Sequence, residues 1–197
     1  MKKHLTFTAL IIIGSVFFIA CKPNTKTSKD SDEKSNPVKE TKVQENHFNG
    51  LRDMALNVTA DQLGIKTQTG EINVFGIVMD WNIGNVVATI AAYQTGDASM
   101  YLSSGAAVVG GGQHENVRQA VSPYILMGQD FLDKSLKTDK TPIPDTGCVR
   151  FYFLTNKGIF SAQEQMENIE NSSSIWLPLF DEANKVLTEI RLTTEHN

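Results

Sequence analysis

The stretch Gly110-Gly111-Gly112-Gln113-His114-Glu115 holds the residue types best suited to chemistry. Amide groups in a glycine-rich turn at a helix start can bind an anion, helped by the helix dipole. Phosphate motifs require more than glycine, however. Gly105 and Gly110 have the spacing of a Walker loop, but Gly111 and Gly112 stand where its Lys and Ser/Thr belong. Gly110-x-Gly112 continues to Glu115 where a dinucleotide fingerprint needs Gly, and a carboxylate there repels phosphate. His114-Glu115 begins as a zinc-protease helix would, yet Arg118 occupies the place of the second His. A hydrolase built here would use His114 as acid/base, with Glu115 or Asp80 assisting; these three are the catalytic candidates. Gly110, Gly111, Gly112 and His114 are the candidates for touching a small ligand or a protein partner. The competing reading is structural. Three glycines permit a tight strand-to-helix turn, while Glu115 suits the positive end of a helix and pairs with Arg118 three residues on. Asp80, at a strand end, would serve a turn through its side chain. Ser103-Ser104-Gly105 is no nucleophile elbow, since the glycine two positions before the serine is missing. No spacing calls for a metal or a cofactor.

Cysteine is the next reactive type, and there are two. Met1-Lys2-Lys3-His4 is a short basic start, Leu5 to Ile19 is mostly apolar, and Ala20 precedes Cys21. A charged start, an apolar stretch of roughly 7–15 residues and a small residue at the cleavage point define a secretory signal. The four residues Phe18-Ile19-Ala20-Cys21 resemble the lipobox of bacterial lipoproteins, with Phe18 where Leu is commoner. The resemblance implies cleavage before Cys21, lipidation of its sulfur and a lipid anchor in a membrane of the cell envelope, in a leaflet it does not specify. Two or three acyl chains hold firmly where one holds weakly. With Cys21 taken by lipid, Cys148 has no partner for a disulfide; in its apolar run, Cys148-Val149-Arg150-Phe151-Tyr152-Phe153-Leu154, it is expected to be buried and inert.

Residues 1–20 are thus read as signal peptide, 21–46 as lipidated cysteine and disordered linker, and 47–197 as one domain. Lys22 to Lys34 has no apolar residue except Pro23, so it cannot bury enough surface to offset chain entropy. As a flexible coil of about 25 residues, the whole linker would span roughly 25–30 Å, a spacer between membrane and domain. Loss of Lys2 and Lys3, with no acid beside them, takes the formal charge from −4 to −6. That balance lacks the basic footprint of a nucleic-acid binder.

The domain must supply the elements that place the candidate residues. Phe48, Leu51, Met54, Ala55 and Val58 recur at helical spacing. Three strands follow, Ile72–Trp81, Val86–Tyr93 and Ala98–Ser103, divided by Asn82-Ile83-Gly84-Asn85 and Gln94-Thr95-Gly96-Asp97, the pattern of an antiparallel meander. A helix starts near His114 and meets Pro123, which must kink or restart it. Residues 138–146 read as loop, Cys148–Thr155 and Gly158–Ala162 as two strands, and Trp176 to Ile190 as a last helix. The expected fold is α+β, a mainly antiparallel five-stranded sheet with helices packed on it in the order α-βββ-α-ββ-α. Phe151, Tyr152 and Phe153 put aromatic rings on both sheet faces, so a face left bare of helix would be a partner surface.

From Phe75-Gly76-Ile77-Val78-Met79-Asp80-Trp81, through Thr95–Gly105, to Gly110–Arg118, the chain resembles a group of uncharacterised bacterial proteins. Its element order resembles the roadblock/profilin-like type of small α+β domain, whose members act through partners. Fold alone assigns no activity. The expectation is a membrane-tethered, non-catalytic binding or scaffold module with a protein partner or self-association; the alternative is a hydrolase or small-ligand protein using the Gly110–Glu115 loop.

Overall fold

The computed structural model describes residues 37–67 and 70–195. The expected signal segment, Cys21 and the linker up to residue 36 lie outside the described residues. Helices are α1 (Pro37–Asn57), α2 (Glu115–Asp130), α3 (Met166–Glu170) and α4 (Leu177–Glu195). Strands are β1 (Val74–Asn82), β2 (Val87–Tyr93), β3 (Ala98–Leu102), β4 (Ala107–Val108), β5 (Leu136–Thr138), β6 (Cys148–Thr155) and β7 (Gly158–Gln165). They form one antiparallel sheet in the order β4-β3-β2-β1-β6-β7-β5.

The α+β class and antiparallel sheet agree with the sequence reading, but the sheet has seven strands rather than five. The element order becomes α-ββββ-α-βββ-α-α. The two added strands are the sheet edges, of two and three residues, too short to show an alternating pattern. Short edge strands leave few unpaired backbone groups to a stray chain. The first helix starts at Pro37, inside the stretch read as linker, and its described packing begins at Phe48. Pro123 neither breaks nor restarts α2; one helix runs through it, with Val117, Val121, Tyr124 and Ile125 buried along one side.

Both sheet faces are covered, which explains why β1 and β2 are apolar at nearly every position. On one face Ile77, Met79, Ile90, Phe151 and Phe153 pack against α2 and α4. Trp176, just before α4, stacks on Phe151 at 5.7 Å between ring centres. On the other face Val78, Ala91, Tyr93, Tyr101, Tyr152 and Leu154 lie under α1 through Phe48, Ala55 and Leu56. The partner surface expected on a bare sheet face is therefore occupied by the chain's own helix. Between Val74 and Gly76 the register of β1 shifts by a bulge, so Phe75 joins the core of Val78 and Val74 that of Ile77. Among the described residues no helix is long and apolar enough to cross a membrane.

Candidate functional site

The glycine-rich loop sits between β4 and α2. Gly110 holds φ +77°, a left-handed conformation that favours glycine, and the chain then makes a short 3₁₀ turn over Gly111–Gln113. Gly111 is buried, and a methyl group there would lie 2.9 Å from the Ala98 carbonyl oxygen and 3.3 Å from Val117. At Gly112 the same atom would meet Asp97 Cα at 2.8 Å. Close approach of backbone to backbone is what these glycines allow.

Four amides of the loop, those of Gly110, Gly112, Gln113 and His114, already have acceptors. Gly112 N–H donates to Asp97 Oδ1 at 2.8 Å, Gly110 N–H to Ser99 Oγ at 3.3 Å, and His114 N–H to the Gly111 carbonyl at 3.0 Å. Arg118 reaches back from α2 to donate to the Gly112 carbonyl and to pair with Glu115. Gln119 Nε2 donates to the other Glu115 oxygen at 3.1 Å. The Arg118 hydrogen bonds, with that of Gln119, hold the Glu115 carboxyl below its ordinary range. The loop is thus tied to the β2–β3 turn on one side and to the first turn of α2 on the other.

His114 is exposed at the start of α2, and its side chain makes no capping bond. Asp80, the third catalytic candidate, is elsewhere. It lies in β1 with no exposed surface, on the side facing α1. Arg52 Nε and Nη2 donate to Asp80 Oδ2 at 2.8 and 2.6 Å, and Thr89 Oγ1 donates to Oδ1 at 2.6 Å. Arg52 also donates to the Thr141 carbonyl at 2.9 Å and rests over the Tyr152 ring at 5.6 Å. Tyr152 Oη in turn donates to the Pro142 carbonyl, and burial with the nearby Asp80 charge pushes its phenol up to about 12. Burial by itself would lower the Arg52 pKa, but its bonds to Asp80 reverse the direction and leave the guanidinium firmly charged. His114 and Glu115 therefore share one helix start, and Asp80 belongs to a separate network under α1.

Local spacing does not reveal that network. Asp80 binds a cation from another element instead of serving a turn, and a single acid within Val74–Trp81 is the signal that a cation must reach it. Arg52 stands four residues after Phe48 and four before Leu56, on the buried face of α1, whereas Met54 is 72% exposed. Cys148 is buried as expected, and burial followed by the Asp145 charge pushes its thiol up. Among the described residues no three His, Cys, Asp or Glu side chains are grouped as a metal would need. A cleft of about 410 Å³ opens between the end of α1 and the β6–β7 turn, and one of about 750 Å³ between Asp145–Cys148 and Gln163–Asn168. Neither is lined by His114 or by Gly110–Gly112.

No family model matches the chain, and no curated protein or solved structure matches it either.

Two substitutions separate packing from recognition at the loop. Gly111→Ala places a methyl against the Ala98 carbonyl and should lower stability by about 1–3 kcal/mol, the usual range for overpacking. His114→Ala, at an exposed position, should stay within about 0.5 kcal/mol of the parent. Thermal unfolding of both, with and without a panel of small anions, checks this. An anion-induced stabilisation lost only in the His114 variant would instead mark the loop as a ligand site.

Proposed function

We propose that this chain is a lipid-tethered binding or scaffold module of a bacterial cell envelope, anchored through Cys21 and acting through a protein partner or a second copy. The supporting observation is how the domain uses its chemistry-bearing groups. Asp80 is enclosed by Arg52 and Thr89, Glu115 is held by Arg118 and Gln119, and the amides of Gly110 and Gly112 are bound by Ser99 and Asp97. The Asp80 contacts and those of Ser99 and Asp97 fasten one structural element to another, and the Glu115 contacts close the first turn of α2. A hydrolase at the loop would need Asp80 or Glu115 free to assist His114, whereas Asp80 serves the attachment of α1 and Glu115 is held by Arg118 and Gln119. Recognition then falls to the outer surface, including exposed Val109 and Leu136 beside the two short edge strands.

Cross-linking in intact cells, followed by capture of the membrane-bound chain, tests the reading. A discrete adduct with a protein, formed by the tethered chain and lost on substitution of exposed surface residues, is the expected result. Stabilisation of the domain by a small molecule from cell extract, abolished by His114→Ala, would favour the hydrolase or small-ligand reading instead.

A further inference from the structure

The Arg52–Asp80 pair raises the question of why a helix at the start of the domain is fastened by a buried charge. Such a pair is weak evidence for stability, because removing both ions from water offsets much of their attraction, and its best-attested use is to specify register or a switch. Among the described residues, the rest of the attachment consists of buried Phe48, Ala55 and Leu56, half-buried Leu51 and a hydrogen bond from Tyr93 Oη to the Ala55 carbonyl at 3.0 Å. A single segment, residues 58–73, joins α1 to β1, and both Gly64 and Gly70 in it have positive φ.

The sheet face under α1 also provides for the helix's departure. Arg150 stands directly opposite Asp80 on the adjacent strand β6. Directly opposed residues on one face of an antiparallel pair have Cβ atoms about 4.5–5.5 Å apart. Arg150 Nη2 donates to Gln163 Oε1 at 2.6 Å, while its Nε is buried without a hydrogen-bond partner. Asp80 thus has one guanidinium bound from α1 and a second beside it on its own sheet. When Arg52 leaves, Arg150 is placed to neutralise the acid, so undocking does not strand a buried charge.

We propose that α1 is an exchangeable arm that docks on its own sheet or on the same face of a second copy, giving a reciprocally exchanged dimer. The occupant is specified by what already fits: Phe48, Arg52, Ala55 and Leu56 match the apolar face and the Asp80 carboxylate beneath them, and identical contacts form between chains as within one. Exchange of an identical element is a low-cost route to a dimer. The inference rests on the scaffold reading and names a second copy as its partner.

The test uses full-length chains in detergent. Arg52→Asp and Asp80→Arg each remove the attraction within their own chain. In an exchanged pair, however, the carboxylate introduced at position 52 of one chain meets the guanidinium introduced at position 80 of the other, and the second interface keeps the natural pairing. Each variant alone is expected to melt lower than the parent; mixed, they should recover the parent's melting temperature at twice the protein mass. A second measurement does not depend on those variants folding. Isotopically heavy and light parent chains are mixed and cross-linked, and links from α1 to Lys140, next to the Thr141 carbonyl that Arg52 holds, are sorted by mass. Heavy–light links support exchange. Links confined to one chain, or none between α1 and Lys140, overturn it when the mixed variants also show no gain. Capture of a different protein by the tethered chain, with α1 links confined to one chain, would keep the scaffold reading and remove this inference.

Discussion

Arg52→Ala is expected to destabilise the domain by about 3 kcal/mol, the lower end of the roughly 3–5 kcal/mol range for breaking a buried ion pair. The loss comes from Asp80 more than from the missing contact. Its side chain has no exposed surface, and without Arg52 it retains only the Thr89 hydroxyl as hydrogen-bond donor. An uncompensated carboxylate in that position must lose its charge or find another cation. Arg150, opposite on β6, is the cation at hand, which places the loss at the low end. In an Arg150→Gln background the same substitution should therefore cost more, towards about 5 kcal/mol. Urea unfolding of the four chains gives the coupling directly, since interacting sites depart from additivity by about 0.5–3 kcal/mol. A loss under about 1 kcal/mol for Arg52→Ala, or strict additivity with Arg150→Gln, would contradict the description of Asp80 as a charge held by competing arginines.

Why some elements are legible from residues alone follows from what sets them. The turns at Gly84 and Gly96 carry φ of +100° and +86°, so glycine marks where the meander reverses and β1, β2 and β3 follow from local signals. Cys148–Thr155 reads as a strand because its residues up to Leu154 are apolar apart from Arg150, as a strand with helices on both faces requires. The two edge strands owe their existence to neighbours rather than to pattern. β4 is defined by Met100 and Tyr101 of β3, and β5 by Ile159, Phe160 and Ser161 of β7. Neither run has enough residues for a period to show.

The candidate site divides in the same way. The tight turn at Gly110–Gly112 and the Glu115–Arg118 pair are local, and spacing along the chain predicts both. Asp80 and Arg52 are 28 residues apart and meet only because α1 packs on the sheet face that carries Asp80. A hydrophobic stripe drawn through α1 with Met54 inward sets the helix rotation wrongly and turns Arg52 towards water. Requiring a cation for the lone acid of β1 draws the buried face of α1 through Phe48, Arg52 and Leu56 instead. Similarly, Gln129 substitutes for a strand neighbour, accepting from Val74 N–H at 2.8 Å and donating to the Ile72 carbonyl at 2.9 Å, a long-range contact that no periodicity encodes.

The largest expected effect belongs to Cys21, which on the proposed anchoring decides whether the domain is presented on a membrane at all. Each buried methylene contributes about 0.8 kcal/mol, so two acyl chains make attachment stable and their loss is all-or-none in its consequence. Labelling cells with a radioactive or clickable fatty acid, then comparing the parent with Cys21→Ser by fractionation and by the mass of the N-terminus, tests the central claim most directly. The account predicts a labelled, membrane-bound parent beginning at Cys21, and a Cys21→Ser chain that takes up no lipid and keeps residues 1–20. Normal cleavage of the Cys21→Ser chain with undiminished membrane retention, or a parent that carries no lipid, would contradict it.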